Sequence, residues 1–248
     1  VVVPALSGAL GFLSRLPVGT TSRSWNQFRG SPYAFVLAGY LIGALLALPL
    51  LVPAPQLTTG FAFLVGVYLL TGVTHIDGVA DLGDALVVHG DVSARRDVLE
   101  DSDVGAGGAL ALALVVFGLG AAGTALASLG LRAILLVITA EVGAKLAMAV
   151  LVCVGSPAHE GLGSKFTRTA SPRAVLPVLL VALPAAFLSW PRVAPAGLAL
   201  SSAVLSALGM LVLARRTVGG VSGDIVGATN EISRIVALHV GVVAWTQL

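Results

Sequence analysis

The sequence predicts an all-α fold, a polytopic transmembrane helical bundle, and three observations lead there. Mean hydropathy is +0.99 over 248 residues, and only 10% of them are charged, whereas soluble domains carry about 25%. The apolar runs are continuous and rich in Leu, Ala, Val and Gly, at the roughly twenty residues a helix needs to cross hydrocarbon. A membrane barrel would instead alternate in polarity over segments of about ten residues. Finally, the carboxylates are gathered in one place. Eight of the twelve, Asp77, Asp81, Asp84, Asp91, Asp97, Glu100, Asp101 and Asp103, fall between Thr74 and Asp103.

In chain order, residues 1–33 read as an interfacial helix followed by a polar loop carrying Arg15, Arg23, Trp25 and Arg29. The chain starts without Met and without the basic region of a signal peptide, which reads as a mature, slightly trimmed sequence. Spans are predicted at about 34–53, 58–74, 105–128, 133–153, 174–191, 194–214 and 232–247, about seven in all, with residues 1–248 forming one integral membrane domain. Gly39 and Gly43 in the first span have the small-xxx-small spacing that admits a close neighbour helix. Gly118, Gly120 and Gly123 match G-x-G-x-x-G, but mid-span they predict helix packing rather than a dinucleotide turn. The single cysteine, Cys153, excludes an intrachain disulfide and a Cys-based zinc site.

Lys and Arg orient the chain. Eleven, including Arg234 at the edge of the last span, fall on the side of the acidic segment; only Arg132 and Arg192 fall on the other. The positive-inside rule puts the first side in the cytoplasm, giving a multi-pass cell-membrane protein with its acidic segment facing inward. No basic cluster with interleaved aromatics is present, so a nucleic-acid partner is not expected; the lipid bilayer is.

Asp77, Asp81 and Asp84 are spaced i, i+4, i+7 and stack on one helix face. Three such carboxylates repel one another unless a hard cation, Mg²⁺ or Mn²⁺, is bound among them. Gly78 and Gly83 leave open backbone beside them for a phosphate or nucleotide. Arg95 and Arg96 are candidates for phosphate contacts, with an i,i+4 ion pair such as Arg96–Glu100 as the plainer reading. The glycine-rich loop 215–231 sets Ser222, Asp224, Asn230 and Glu231 among exposed amides suited to phosphate. Glu141 and Lys145, i,i+4 within a span, read as a mutual salt bridge or a pocket wall. His75 reads as a base, a substrate contact or an interface residue.

The runs HIDGVADLGDAL and ARRDVLEDSDVGAGG resemble the H-L-D-G-x-A-D-x-x-D-G and M-K-D-S-R-x-G-x-x-G blocks of the cobalamin synthase (adenosylcobinamide-GDP ribazoletransferase) family. FLSRLPVG, HEGLGSKF and GGVSGDIVGATNEIS fit further segments in the same order. This sequence departs from the family in having Glu100 and Asp103 around the D-S pair, and Lys145 where an Arg is expected. The resemblance implies a Mg²⁺-dependent transferase that joins adenosylcobinamide-GDP with α-ribazole, or its 5′-phosphate, and releases GMP. By motif position it implies Asp77, Asp81 and Asp84 as metal and catalytic residues. His75, Arg95, Arg96, Asp101, Ser102, Asp224 and Glu231 are then substrate or metal contacts, and a homo-oligomer is compatible with the family. A CDP-alcohol phosphotransferase would need Arg where Asp81 stands, and an ion-coupled transporter would need mid-span acids and inverted repeats.

Overall fold

The computed structural model describes residues 2–101 and 103–248. It is all-α. The helices are α1 Val2–Leu13, α2 Ser22–Arg29, α3 Tyr33–Leu46, α4 Gln56–Thr71, α5 Thr74–Val87 and α6 Val92–Leu99. They continue as α7 Ala106–Ala127, α8 Leu131–Val154, α9 Leu162–Thr167, α10 Val175–Ala182, α11 Val193–Thr217 and α12 Gly223–Gln247. Among the described residues, Tyr33–Leu51, α7, α8 and α11 are each long and apolar enough to cross a membrane. Helices α4 and α5 meet the same requirement together but are bent by 99°. The molecule is a multi-pass membrane bundle.

The bend lies at Gly72, whose φ of +73° is a left-handed conformation that side chains strain to adopt. Its amide still donates to Tyr68 O, finishing α4, and the chain turns sharply into α5. Two predicted spans take a different form. The stretch 174–191 is not one regular helix: α10 ends at Ala182 and a 3₁₀ segment, Leu183–Phe187, follows with Pro184 at its start. Proline lacks the amide that an α-helix would use there and clashes with the preceding turn. The last helix begins at Gly223 rather than near 232, because Ser222 caps it by accepting from the Ile225 amide. The loop predicted at 215–231 accordingly shrinks to 218–222.

Helix α8 is the axis. From Leu136 to Cys153 every residue except Ile138 is buried, and α3, α10, α11 and α12 pack around it. In lipid, helices associate through van der Waals contact rather than hydrophobic exclusion, so close backbones matter. Gly39 and Gly43 supply that closeness: a methyl at Gly43 would stand 2.8 Å from Ile138 Cα, and one at Gly39 3.0 Å from Val142 Cα. Gly123 meets Gly60 of α4 in the same manner. In the mid-span G-x-G-x-x-G, Gly118 against Ile235 and Gly123 against Gly60 are thus packing positions, while a methyl at Gly120 would meet nothing within 4 Å.

Helix α5 lies against the first turns of both α7 and α12. A methyl at Gly83 would be 2.7 Å from Gly107 O, and one at Gly78 2.4 Å from Asp224 O. The space expected beside these glycines for a phosphate is filled by neighbouring helix backbone. At the same end, Phe12 of α1, Trp25 and Phe28 of α2 and Phe35 of α3 surround Phe166 of α9, with ring centroids 5.1–5.5 Å from it.

Gly43→Val should separate α3 from α8 and cost about 1–3 kcal/mol of stability, the range for overpacking a tight contact. Thermal unfolding in detergent checks this; an unchanged melting temperature would contradict the packing role.

Candidate active site

Five helices, α1, α5, α8, α9 and α12, build the site. Helix α5 brings His75 and Asp77 in its first turn and Asp81 one turn on. Helix α12 brings Gly223 and Asp224 in its first turn, and α9 with α1 supplies Phe166 and Phe12. Between them lies a cleft of about 400 Å³ whose lining mixes polar residues, His75, Asp77 and Asp224, with apolar ones, Phe12, Met148 and Phe166. Among the described residues, no Lys or Arg side chain lines it.

The walls are held together at backbone level. The loop after α8 is pinned to the loop before α12, with the Val221 amide donating to Ser156 O (2.8 Å) and the Ala158 amide to Val221 O (3.1 Å). Gly219, at φ +79°, permits the turn. Arg96 Nε donates to Val218 O at 2.6 Å, fixing α6 to this loop. Ser222 Oγ donates to Asp224 Oδ2 at 3.2 Å, which steadies that carboxylate at the cleft.

The three aspartates of α5 run from water into protein: Asp77 is exposed, Asp81 half-buried and Asp84 buried. Burial pushes the Asp81 carboxyl up to about 7, reinforced by Asp77, then Asp224, then Asp84. That order shows which charges surround it, and Asp224 belongs to the set. Asp84 is occupied differently from the spacing-based expectation. Its Oδ2 accepts from the Gly105 amide (2.8 Å) and its Oδ1 from Gly108 (2.9 Å). It therefore caps α7 from another helix, satisfying amides that a helix start leaves unpaired. Among the described residues, no three His, Cys, Asp or Glu side chains converge closely enough to hold a metal by themselves. A ready-made cage of Asp77, Asp81 and Asp84 is thus not formed.

Other predicted residues fall outside the cleft. Arg95 Nε donates to Val88 O at 3.4 Å, and Asp101 is exposed, accepting from the Asp103 amide at 3.1 Å. Ser102 lies outside the described residues. Glu231 is buried and pairs with Arg234, Nη1 to Oε1 at 2.6 Å. Arg234 is no loop cation at a span edge. It is fully buried and also binds Glu141, which takes Lys145 at 2.6 Å. The Glu141–Lys145 salt bridge exists, as one arm of a four-charge network.

The apolar part of the lining was missed by sequence reasoning. Its members lie in two matched blocks, Phe12 in FLSRLPVG and Phe166 in HEGLGSKF, but an apolar residue in an apolar chain gives no signal of its own.

Two expected outcomes follow from these contacts. Asp84→Ala should cost about 1–2 kcal/mol, the scale of a lost helix cap, read as a lower unfolding temperature. Arg234→Met should cost more, about 3–5 kcal/mol, because Glu141 and Glu231 lose their shared partner in a buried site; the same unfolding measurement ranks the two.

Residues 5–242 match the family profile described as Cobalamin-5-phosphate synthase. A Halorubrum lacusprofundi protein named adenosylcobinamide-GDP ribazoletransferase is 51% identical, over 99% of this chain and 99% of its own length. Proteins of the same name from Haloquadratum walsbyi and Methanococcoides burtonii are 43% and 32% identical, each over 98% of this chain and over 99% and 93% of their own. No solved structure matches the chain. With its fold, its acidic end and near-complete coverage at this identity, the chain belongs to the cobalamin-5-phosphate synthase family.

Proposed function

We propose that this chain catalyses the reaction for which its relatives are named. α-Ribazole, or its 5′-phosphate, attacks through its ribose 3′-hydroxyl the phosphate attached to cobinamide in adenosylcobinamide-GDP. The new phosphodiester forms as the bond to GMP breaks. The observation that carries this reading is the cleft at the starts of α5 and α12, lined by Asp77 and Asp224 together with Phe12, Met148 and Phe166.

The donor set fits Mg²⁺. Asp77, Asp81 and Asp224 are hard oxygen donors, burial and the neighbouring carboxylates raise the proton affinity of Asp81, and among the described residues no cationic side chain lines the cleft to offset a diphosphate. The lack of a three-residue cage fits as well, since Mg²⁺ is usually held by one or two carboxylates, waters and substrate phosphates. Asp77, Asp81 and Asp224 would hold the ion, which supplies charge neutralisation at the phosphates. Asp84 acts at one remove, fixing α5 on α7. Phe12, Met148 and Phe166 offer a surface for the planar benzimidazole of ribazole, while Asp77 and His75 face the ribose and phosphate.

We place this end of the bundle in the cytoplasm. With Arg234 removed from the eleven, ten cations still stand against two. Seven crossings complete the topology, with α10 and Leu183–Phe187 as the fifth and α12 as the seventh.

Purified protein in lipid, given adenosylcobinamide-GDP, α-ribazole and Mg²⁺, should release GMP and form a cobalamin. Asp224→Asn should lower kcat by about 100-fold or more, the scale of removing one charge-stabilising group. Wild type that stays folded but makes no product with either ribazole form would overturn the reading.

The pH dependence has a definite sign. Asp81 holds its proton below about 7, so Mg²⁺ must displace it there, and apparent Mg²⁺ affinity should fall as pH drops through that value. Stability runs the other way. A carboxyl raised above its unfolded value binds its proton more tightly in the fold, so cation-free protein should lose stability as pH rises through 7. Melting temperatures with and without Mg²⁺ on both sides of pH 7 test this, and Asp81→Asn should flatten both trends.

A further inference from the structure

The buried charge network does not end at Arg234. It continues through Glu231 to Asn230, and from Asn230 to His75 at the cleft. Asn230 Nδ2 lies 3.0 Å from Glu231 Oε1 and 3.2 Å from His75 Nδ1. Asn230 is completely buried, and His75 is 6% exposed.

This geometry fixes where the hydrogens lie. Glu231 is ionised against Arg234, so a carboxylate oxygen, which only accepts, faces Asn230. The amide group facing it must be the NH₂, since turning the amide over would set two acceptors together. The second hydrogen of that NH₂ then points to His75 Nδ1, which must accept it. A neutral imidazole that accepts at Nδ1 carries its proton at Nε2. Each step is forced by the one before, and the starting point is the charge of Glu141, held between Lys145 and Arg234 in the centre of α8.

We infer that His75 serves the cleft as a neutral Nε2–H hydrogen-bond donor to the transferring phosphate, not as a base, and that the chain from Lys145 to Asn230 exists to hold it in that tautomer. The inference rests on the cleft being the phosphoryl-transfer site. His75 keeps its proton throughout, stabilising charge on phosphate oxygen in the way a fixed donor in a dry site does. Asn230, Glu231 and Arg234 are positioning residues, since they bear on the reaction through His75 rather than by touching the substrate. Their burial sets the polarity of a group at the cleft from within the bundle.

The test uses the full chain in lipid nanodiscs, labelled with ¹⁵N-histidine. There are four histidines, so His75 is assigned by difference from His75→Gln. In wild type the His75 Nδ1 should resonate as an unprotonated nitrogen and Nε2 as a protonated one. Asn230→Asp replaces the donor by an acceptor and should move the proton to Nδ1, a change that a merely space-filling Asn230 would not produce. Activity gives the second arm and does not depend on that variant folding. Glutamine can donate from nearly the same place as Nε2 but is no base. His75→Gln should therefore stay within about tenfold of wild-type kcat, whereas His75→Ala should lose about 100-fold, the scale of one lost donor. A protonated Nδ1 in wild type, or a Gln variant as inactive as the Ala variant, overturns the inference. If wild type forms no cobalamin at all, the proposed function fails, while the nitrogen signals still decide the tautomer on their own.

Discussion

A carboxylate in the middle of a helix that is buried along its length in a membrane bundle must be neutralised where it lies. Glu141 is that carboxylate. A single lysine one turn away, Lys145, answers half of it, and Arg234 of α12 answers the rest while also binding Glu231. Two acids and two bases thus balance in a dry interior, where any unpaired member is costly. This sets the register of α12 on α8, since Arg234–Glu141 is the pair that joins the two helices and sliding by one turn would break it. Register in turn places Asp224, seven residues before Glu231 and so about 10 Å nearer the membrane end, at the mouth of the cleft. The buried centre therefore decides where the exposed chemistry sits.

Glycine does the complementary work. Where the charges fix register, Gly39, Gly43, Gly60 and Gly123 fix distance by letting helix backbones touch. The same device continues at the acidic end, where Gly78 and Gly83 seat α5 on α12 and α7. Packing there leaves no room for a ligand against the α5 backbone. The open space is shifted to the other side of the α12 start, between Asp77, Asp224 and the aromatic residues. Asp84 completes the arrangement by spending both its oxygens on α7, so α5 is held at both ends and its first turn is fixed over the cleft.

The proposed chemistry suits this construction. A reaction between an amphipathic corrinoid and a nucleoside with a flat base needs an opening that offers both polar and apolar surface, at the edge of the bilayer. Carboxylates graded from exposed to buried would let the proposed cation be reached from water while the helix that carries them stays anchored in protein. Burial first, and the neighbouring carboxylates after it, raise the proton affinity of Asp81, and the proposed cation would offset the carboxylate part.

Much was legible in the sequence because lipid is a demanding solvent. Hydropathy and run length required a helical bundle, and α7, α8 and α11 fall close to their predicted bounds. The gathering of eight acids into thirty residues pointed to the end where the reaction is proposed, and Gly39 and Gly43 announced a close helix contact. Three things had to wait for the tertiary structure, each because it depends on contacts between residues distant in the chain. Asp84 shares a helix face with Asp77 and Asp81, but only the approach of α7 turns it into a cap. Arg234 sits where a loop cation was expected, yet the early start of α12 buries it beside a glutamate 93 positions away. Phe12 and Phe166 carry no chemical signal alone and come to line one cleft only when α1 and α9 meet. Composition and period fix what each segment must be, while the pairing of charges and the touching of backbones between segments decide what each residue does.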